Sequence, residues 1–400
     1  MSDHFLPYGK QQIDQTDINA VCEVLQSDFL TSGPKVSEFE DAFAEFVGAR
    51  HAIAVNSATA ALHLAIRVAG VQEGDRVITS PNTFLSSANC AAFEGATPDF
   101  CDIDPDTNTM CPASLEKQWT DDVRAVVPVS YGGQSADMPA ISKIAKAHDA
   151  IVIEDASHGT GGGFQVDGAN YKQGSHPWAD LTVFSFHPVK TLTTGEGGML
   201  VTNNDEFAKL ARSLRSHGMT REPSEFQGLG SENPALAEHG PWYYEMQELG
   251  YNYRITDLQC ALGLSQLKRL PDFIARRQEI VKRYNEAFAD LPWFTLPGVV
   301  REPDGNQISW HLYSPRFDFA ALGKTRTEVM LELRAKGIGT QVLYIPVYLQ
   351  PYYRKTFGYQ EGKCPKAEAF YSQTLSLPLH ACLTDADVDR VIAATRELSS

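Results

Sequence analysis

AIVIED at Ala150–Asp155 and LTVFSF at Leu181–Phe186 are short, mostly apolar runs. Such runs suit strands buried on both faces of a sheet. Working outward, the pattern recurs. Strands are also predicted at His51–Asn56, Arg76–Ser80, Thr97–Asp102, Ala125–Ser130 and Met199–Thr202. Amphipathic helix candidates lie between several of them, at Ala58–Val68, Ser86–Glu94, Ile141–His148 and Glu206–Ser216. This alternation, from about Asp14 to Ala211, predicts an α/β fold with a mostly parallel sheet and helices on both sides.

The stretch from about Thr220 to Glu248 breaks the pattern. It carries one Arg, six Glu, several Pro and Gly, and the cluster Trp242-Tyr243-Tyr244. It reads as a long surface loop with an aromatic anchor, and loops of that length are usually functional or at an interface. A long helix is predicted over Thr256–Phe288. The remainder, Asn306–Ser400, reads as a small α+β domain: strand Tyr313–Phe317, helix Thr327–Lys336, strand Thr340–Tyr344 and final helix Ala386–Leu398. The expected organisation is a large domain over 1–262, with its loop at 220–248, then a linking helix and small domain over 263–400.

The totals agree with that division. A chain of 400 residues, 43% hydrophobic, suits one large and one smaller core. A net charge of −16 speaks against nucleic acid and against an anionic membrane surface, both of which need Lys and Arg. The opening MSDHFLPYGKQQ lacks a basic region followed by an apolar run, so no secretory signal is expected. No apolar stretch approaches the roughly 20 residues that span a bilayer. Cys22, Cys90, Cys101, Cys111, Cys260, Cys364 and Cys382 are scattered, with no C-x-x-C. Free thiols in a cytoplasmic protein explain them best. Without H-E-x-x-H or a Cys/His cluster, no metal site is expected.

Asp155 ends a predicted buried strand, where open α/β sheets bind ligands. A lone carboxylate there needs a partner. A protonated pyridine nitrogen is one. Capping of the next turn, or a bridge to an Arg, is an equally good account of the Asp alone. Lys190 follows another strand in SFHPVKTLTTGEGG, between Ser185 and His187 on one side and the turn Gly195-Glu196-Gly197-Gly198 on the other. A nucleophilic Lys must be neutral part of the time, which a semi-buried loop near other cations promotes. Small residues beside it let backbone approach a cofactor closely. NSATAAL at Asn56–Leu62 opens a helix, whose free N–H groups and the hydroxyls of Ser57 and Thr59 make an anion site. A plain Ser N-cap reads the same way. HGTGGGF at His158–Phe164 would need Gly at 164 to be a dinucleotide fingerprint, and G-x-x-x-x-G-K-[ST] is absent, so nicotinamide and ATP chemistry lose support.

Taken together, LTSGPKVSEFE (30–40), EDASH (154–158), FSFHPVKTLTTGEGG (184–198), RSHGMTR (215–221) and GYNYRITDLQCALGLSQL (250–267) resemble the DegT/DnrJ/EryC1/StrS family of sugar-nucleotide aminotransferases. Order and spacing agree over nearly the whole chain. LPYGKQ, NSATAALH, SPNTFLSSANCA, GGQSADM and WYYEMQELGYNYR are similar to the family branch that acts in pseudaminic acid synthesis.

The resemblance implies a fold-type-I enzyme dependent on pyridoxal 5′-phosphate (PLP), working as a homodimer with shared active sites. Lys190 would hold the cofactor as a Schiff base and shuttle protons. Asp155 would hold the pyridine nitrogen, Phe84 would stack on the ring, and Ala58, Thr59 and Ser185 would hold the phosphate. His158 would touch the ring's 3-oxygen side or Asp155. Asn252 would reach the phosphate of the other subunit's cofactor. Tyr8, Thr31, His187, His217, Arg254 and Tyr344 would lie near the sugar nucleotide. Glutamate would be the amine donor and a UDP-linked 4-keto-6-deoxy-N-acetylhexosamine the acceptor, aminated at C4. Runner-up acceptors are bacillosamine- or legionaminic-type 4-ketosugars and dTDP-sugars. A PLP-dependent sugar dehydratase of the same fold commonly has His in place of the Schiff-base Lys, and a non-catalytic relative would not need the whole constellation. The chain departs from the family in two places. SHGTGGG follows the Asp where relatives often have SHA and an aliphatic residue, and Leu343 and Tyr348 stand where many relatives carry His.

Overall fold

The computed structural model describes residues 4–230, 233, 238–299 and 308–399. Helices α1 (Gln15–Leu25) and α2 (Pro34–Val47) lead into β1 (His51–Val55), α3 (Ala58–Val68), β2 (Arg76–Thr79), α4 (Ser86–Phe93) and β3 (Thr97–Phe100). Next come α5 (Pro112–Gln118), β4 (Val123–Val127), α6 (Met138–Ala147) and β5 (Ile151–Asp155). A hairpin of β6 (Gly163–Val166) and β7 (Ala169–Lys172) precedes β8 (Leu181–Ser185), β9 (Gly198–Thr202) and α7 (Asp205–Arg215). The long α8 (Asp257–Phe288) is followed by α9 (Arg326–Ala335), α10 (Pro351–Phe357), α11 (Pro365–Gln373) and α12 (Asp385–Arg396).

Seven strands form the central sheet, in the order β1-β9-β8-β5-β4-β2-β3. Pairing from β8 to β3 is parallel, and β9 runs antiparallel to β8 and β1. The continuous apolar runs follow from cover on both faces. In β1, Ile53 and Val55 pack with α3 and α7, while Ala52 and Ala54 pack with α2.

Helix α8 ties the two ends of the chain together. Thr256 and Gln259 form a capping box at its start. Asp257 accepts the N–H groups of Gly33 (2.7 Å) and Lys35 (2.9 Å), which fixes the start of α2. Early residues Cys260, Leu267 and Leu270 join the sheet-side core, and Ile280, Val281, Tyr284 and Phe288 join a second core with Leu333 and Val388. Leu6 belongs to that second core, with its N–H on the Gly337 carbonyl at 2.8 Å. The segment before α1 therefore crosses to the C-terminal part of the molecule.

Three local expectations differ from what forms. Thr340–Tyr344 makes no strand, only a bridge between Gln341 and Ser376. Beyond that bridge, the Leu343 carbonyl is taken by a side chain, with Tyr131 Oη donating to it at 2.6 Å. The strand expected at Tyr313–Phe317 shrinks to Arg316–Phe317, because Pro315 has no N–H to give a ladder. The β6–β7 hairpin forms where no strand is predicted. Asp167 and Gly168 turn it at φ 49° and 80°, the Asp-Gly pair that two-residue hairpins favour.

In the 220–248 loop, Glu245–Met246 pairs with Met219–Thr220, and residues 231–232 and 234–237 lie outside the described set. The anchor is Tyr243 alone: it is buried against Phe226 and His239 and donates to Glu245 at 2.7 Å, while Trp242 and Tyr244 stay exposed. Among the described residues, no helix is long and apolar enough to cross a membrane, and no cluster of three or more potential ligands could hold a metal ion.

Candidate active site

Asp155 and Ser185 end the neighbouring parallel strands β5 and β8, so both reach the carboxyl edge of the sheet. A cavity of about 400 Å³ opens there, within the range of small-ligand sites. Asp155 is 5% exposed and is fixed on both oxygens. Ser87 Oγ on α4 donates to Oδ2 at 2.6 Å, and the Ser157 N–H donates to Oδ1 at 3.1 Å. Ser87 is itself 2.7 Å from Thr83 Oγ1. Behind them, burial pushes the Cys90 thiol up to about 12, with the Asp155 charge adding to the effect. That thiol is inert packing rather than a nucleophile.

Lys190 sits on the turn after β8, its N–H bonded to the His187 carbonyl at 2.9 Å. Its side chain lines the cavity with Asp155. Enclosure pushes the Lys190 ammonium down to about 8, with the Asp155 carboxylate opposing the shift. A neutral amine is therefore accessible near neutral pH, as a nucleophile requires.

The glycine turn that follows has a steric role. A Cβ on Gly198 would lie 2.6 Å from the Ala58 N, so only glycine lets β9 pass the first turn of α3. That turn opens into the cavity. Ser57 caps α3 by accepting the Ala60 N–H at 3.1 Å, which leaves the N–H groups of Ala58 and Thr59 without intrahelical partners. Thr59 Oγ1 is 2.7 Å from Ser86 Oγ, and Ser185 lines the same cavity. These donors suit a phosphate. With an anion cradle at α3, a fixed carboxylate at β5 and an amine of lowered basicity, the residues present fit PLP.

On the far wall, the Gly132 N–H donates to His158 Nδ1 at 3.3 Å. Nε2 must then carry the ring hydrogen and donate to Tyr344 Oη at 3.1 Å. Burial first, then the Lys190 charge, hold His158 well below its ordinary value, so the ring stays neutral.

The cavity brings together most of the predicted site residues: Lys190, Asp155, Ala58, Thr59, Phe84, His158, Ser185, Tyr8, His187 and Tyr344. Phe84 is 58% exposed, with its ring 6.2 Å from that of Tyr344. Thr31, His217, Asn252 and Arg254 do not line this cavity. Thr31 bridges to Thr256, Asn252 to Ser216 and Arg254 to Val55, and the His217 N–H bonds the Tyr251 carbonyl at 2.8 Å. Of the two departures, Leu343 lines the cavity, whereas Tyr348 is buried away from it against Phe100. Gly159, the first residue of the other departure, leaves room for Gln173, whose Oε1 would stand 2.1 Å from a Cβ.

Sequence reasoning missed His311, whose Nε2 is 3.4 Å from Lys190 Nζ, and also Ser87 and Thr83. A lone His inside Ile308-Ser-Trp-His-Leu-Tyr313 was the available signal for the first. Nothing in SPNTFLSSANCA separates Ser87 from its neighbouring Ser86.

The profile of the DegT/DnrJ/EryC1/StrS aminotransferase family matches residues 11–396. The spore coat polysaccharide biosynthesis protein SpsC of Bacillus subtilis (strain 168) is 46% identical over 399 residues, 99% of this chain and 97% of that protein. Among solved structures, PseC of Helicobacter pylori, an aminotransferase involved in the biosynthesis of pseudoaminic acid, has a TM-score of 0.86 at 31% identity, covering 98% of this chain and 99% of that one. A putative sugar aminotransferase of Streptococcus pneumoniae in its PLP form has a TM-score of 0.87 at 30% identity, covering 99% of both chains. The chain belongs to the DegT/DnrJ/EryC1/StrS aminotransferase family and is a PLP-dependent sugar aminotransferase.

Proposed function

We propose that this aminotransferase moves the amine of glutamate to C4 of a UDP-linked 4-keto-6-deoxy-N-acetylhexosamine, on the path to pseudaminic acid. The observation that carries the reading is the full-length likeness to the Helicobacter pylori enzyme of that pathway, joined to a cavity that holds the lysine, the carboxylate and the anion cradle together. The relative named for spore coat polysaccharide also supports a sugar destined for surface glycan.

When bound, PLP supplies an electron sink for a carbanion at the reacting carbon. The protein supplies the rest. Asp155, braced by Ser87 and Ser157, would hold the proton on the pyridine nitrogen. The free N–H groups at α3, with Ser185, would bind the phosphate. Lys190 Nζ would take the proton from the donor carbon and deliver one to the sugar carbon. His158 and Tyr344 would orient the ring's oxygen side. Tyr8, His187 and Leu343 line the same cavity, where the sugar would lie. A UDP-activated substrate and seven free cysteines suit a reducing cytoplasm.

The reading is tested by kcat/KM for a panel of UDP- and dTDP-linked 4-ketosugars at fixed glutamate, with products identified by mass and NMR. The L-arabino UDP-sugar is expected to be preferred. Hydrogen bonds to the N-acetyl and uridine groups would leave buried donors and acceptors unpaired with any analogue lacking them. Much faster turnover of the D-xylo isomer or of a dTDP-sugar would reassign the pathway and leave the aminotransferase chemistry standing.

The unit we propose is a homodimer with shared sites. Asn252 supports this. It is exposed, accepts from Asn56 Nδ2 at 3.4 Å through its backbone carbonyl, and does not line its own chain's cavity. Its side chain is therefore available to a second copy's cofactor phosphate. Mixing an inactive Lys190→Ala protein with an inactive Asn252→Asp protein is expected to restore part of the activity, since one site of the heterodimer has both halves intact. Heterodimers that form and stay inactive would remove Asn252 from the site.

A further inference from the structure

We propose that His311 is a positioning residue for Lys190: its Nε2 accepts a hydrogen bond from Nζ and fixes where the amine points whenever it is free. The inference rests on Lys190 being the reacting amine. The contact is 3.4 Å between Nε2 and Nζ, and His311 is 4% exposed. An ammonium has only donors. Whenever Lys190 is an ammonium, Nε2 is therefore the bare nitrogen, with the ring hydrogen on Nδ1, which has no partner among the described residues.

His311 is well placed for this because its backbone is pinned from both sides. Its N–H donates to the Gly132 carbonyl at 2.9 Å. Its carbonyl accepts from Arg277 Nη1 at 3.3 Å, and the same nitrogen donates to the carbonyls of Trp310 (3.3 Å) and Leu379 (2.9 Å). Arg277 lies on α8 and is 2% exposed, so this clasp is enclosed. The imidazole also packs at 4.5 Å from the ring of His158, which Gly132 and Tyr344 hold in turn. A lysine stem is long and flexible, and a free Nζ wanders unless a fixed acceptor holds it. With PLP bound, the amine would be free at each of the two proton transfers. An acceptor that cannot move returns Nζ to one place between the two proton transfers.

The other charged or titratable groups around the pair are Asp155 at the end of β5, His158 just after it, His187 on Lys190's own turn, Arg277 on α8 and Lys10 from the N-terminal segment. Glu196 and Tyr344 line the same cavity. Burial first, and then the charge of Lys190, keep His311 well below its ordinary value. It therefore holds a proton's direction and does not itself relay one.

The test reads Lys190 directly. In protein stripped of cofactor, acetylation of Lys190 by acetic anhydride across pH, followed by peptide mass spectrometry, gives the midpoint of the amine. His311→Leu is expected to lower that midpoint by about one pH unit, because the ammonium loses its acceptor. His311→Gln, whose Oε1 can reach the Nε2 position, is expected to restore it. In the holoenzyme, His311→Leu should lower kcat by on the order of ten- to a hundredfold with little change in KM for the sugar. The acidic limb of the kcat profile should move to lower pH with the midpoint. An unchanged or raised midpoint in His311→Leu overturns the proposal, as does a His311→Gln midpoint as low as that of His311→Leu. Should His311→Leu not fold, nitrogen NMR of the wild-type histidines near neutral pH decides, and a hydrogen on His311 Nε2 overturns it. The midpoint does not depend on which sugar is the substrate, and whether Lys190 is the reacting amine is read separately from Lys190→Ala.

Discussion

Lys190→Ala is expected to abolish turnover, by about 10⁴-fold or more, while the protein still folds and still takes up PLP. Two functions leave together: covalent capture of the cofactor and proton transfer between the reacting carbons, the second alone being worth roughly 10²–10⁴-fold. The fold should tolerate the change. The Lys190 N–H keeps its bond to the His187 carbonyl whatever the side chain, and the stem reaches into a cavity rather than into close packing. The phosphate donors at α3 and the Asp155 carboxylate are untouched, so cofactor should bind but dialyse away. Two measurements check this. Borohydride reduction of the wild-type holoenzyme should leave the cofactor's mass on the peptide that contains Lys190, and the variant should lose the visible absorbance of the bound cofactor. A variant that keeps full turnover without added amine, or reduced wild-type protein labelled on a different lysine, would end the assignment.

The sheet was legible because its strands are covered on both faces. AIVIED and LTVFSF need no alternation when Ile153 faces one core and Val152 another, so short apolar runs are sufficient signal. The placement of Asp155 and Lys190 at this edge was legible for a related reason: each sits at or just past the carboxyl end of such a strand, a place the strand prediction itself defines. The small-domain strands were not legible. Pro315 interrupts the first, and the second pairs by backbone only at Gln341–Ser376 while Tyr131 takes the Leu343 carbonyl. His311 was missed on the same ground. It approaches Lys190 from a segment 121 positions along the chain, and its placement depends on Gly132 and Arg277 holding an irregular backbone. No local pattern encodes that. The β6–β7 hairpin is a different case, since its Asp167-Gly168 turn signal stands in the sequence but no strands were predicted on either side of it.

Asp155→Asn is expected to lower kcat by on the order of 10²–10³-fold, with the fold and PLP binding preserved. The substitution is nearly isosteric, and its surroundings can accept an amide. The amide oxygen can still receive the Ser157 N–H, and the amide nitrogen can donate to Ser87 Oγ, which is then free to donate to Thr83. What the variant lacks is charge. A neutral amide does not hold a proton on the pyridine nitrogen, so the electron sink weakens at the moment a carbanion develops, and the loss falls on kcat. A second consequence is electrostatic. The Asp155 carboxylate is what opposes burial at Lys190. A carboxylate that favours the ammonium raises its value, so removal should carry the Lys190 amine further below about 8. In cofactor-free protein, the pH midpoint for Lys190 acetylation should therefore fall in Asp155→Asn, in the same direction as in His311→Leu. A residue that only capped the turn after β5 would leave kcat near wild type once the variant was shown to be folded, even though the loss of its charge would still lower the Lys190 midpoint. That result would return Asp155 to a structural role.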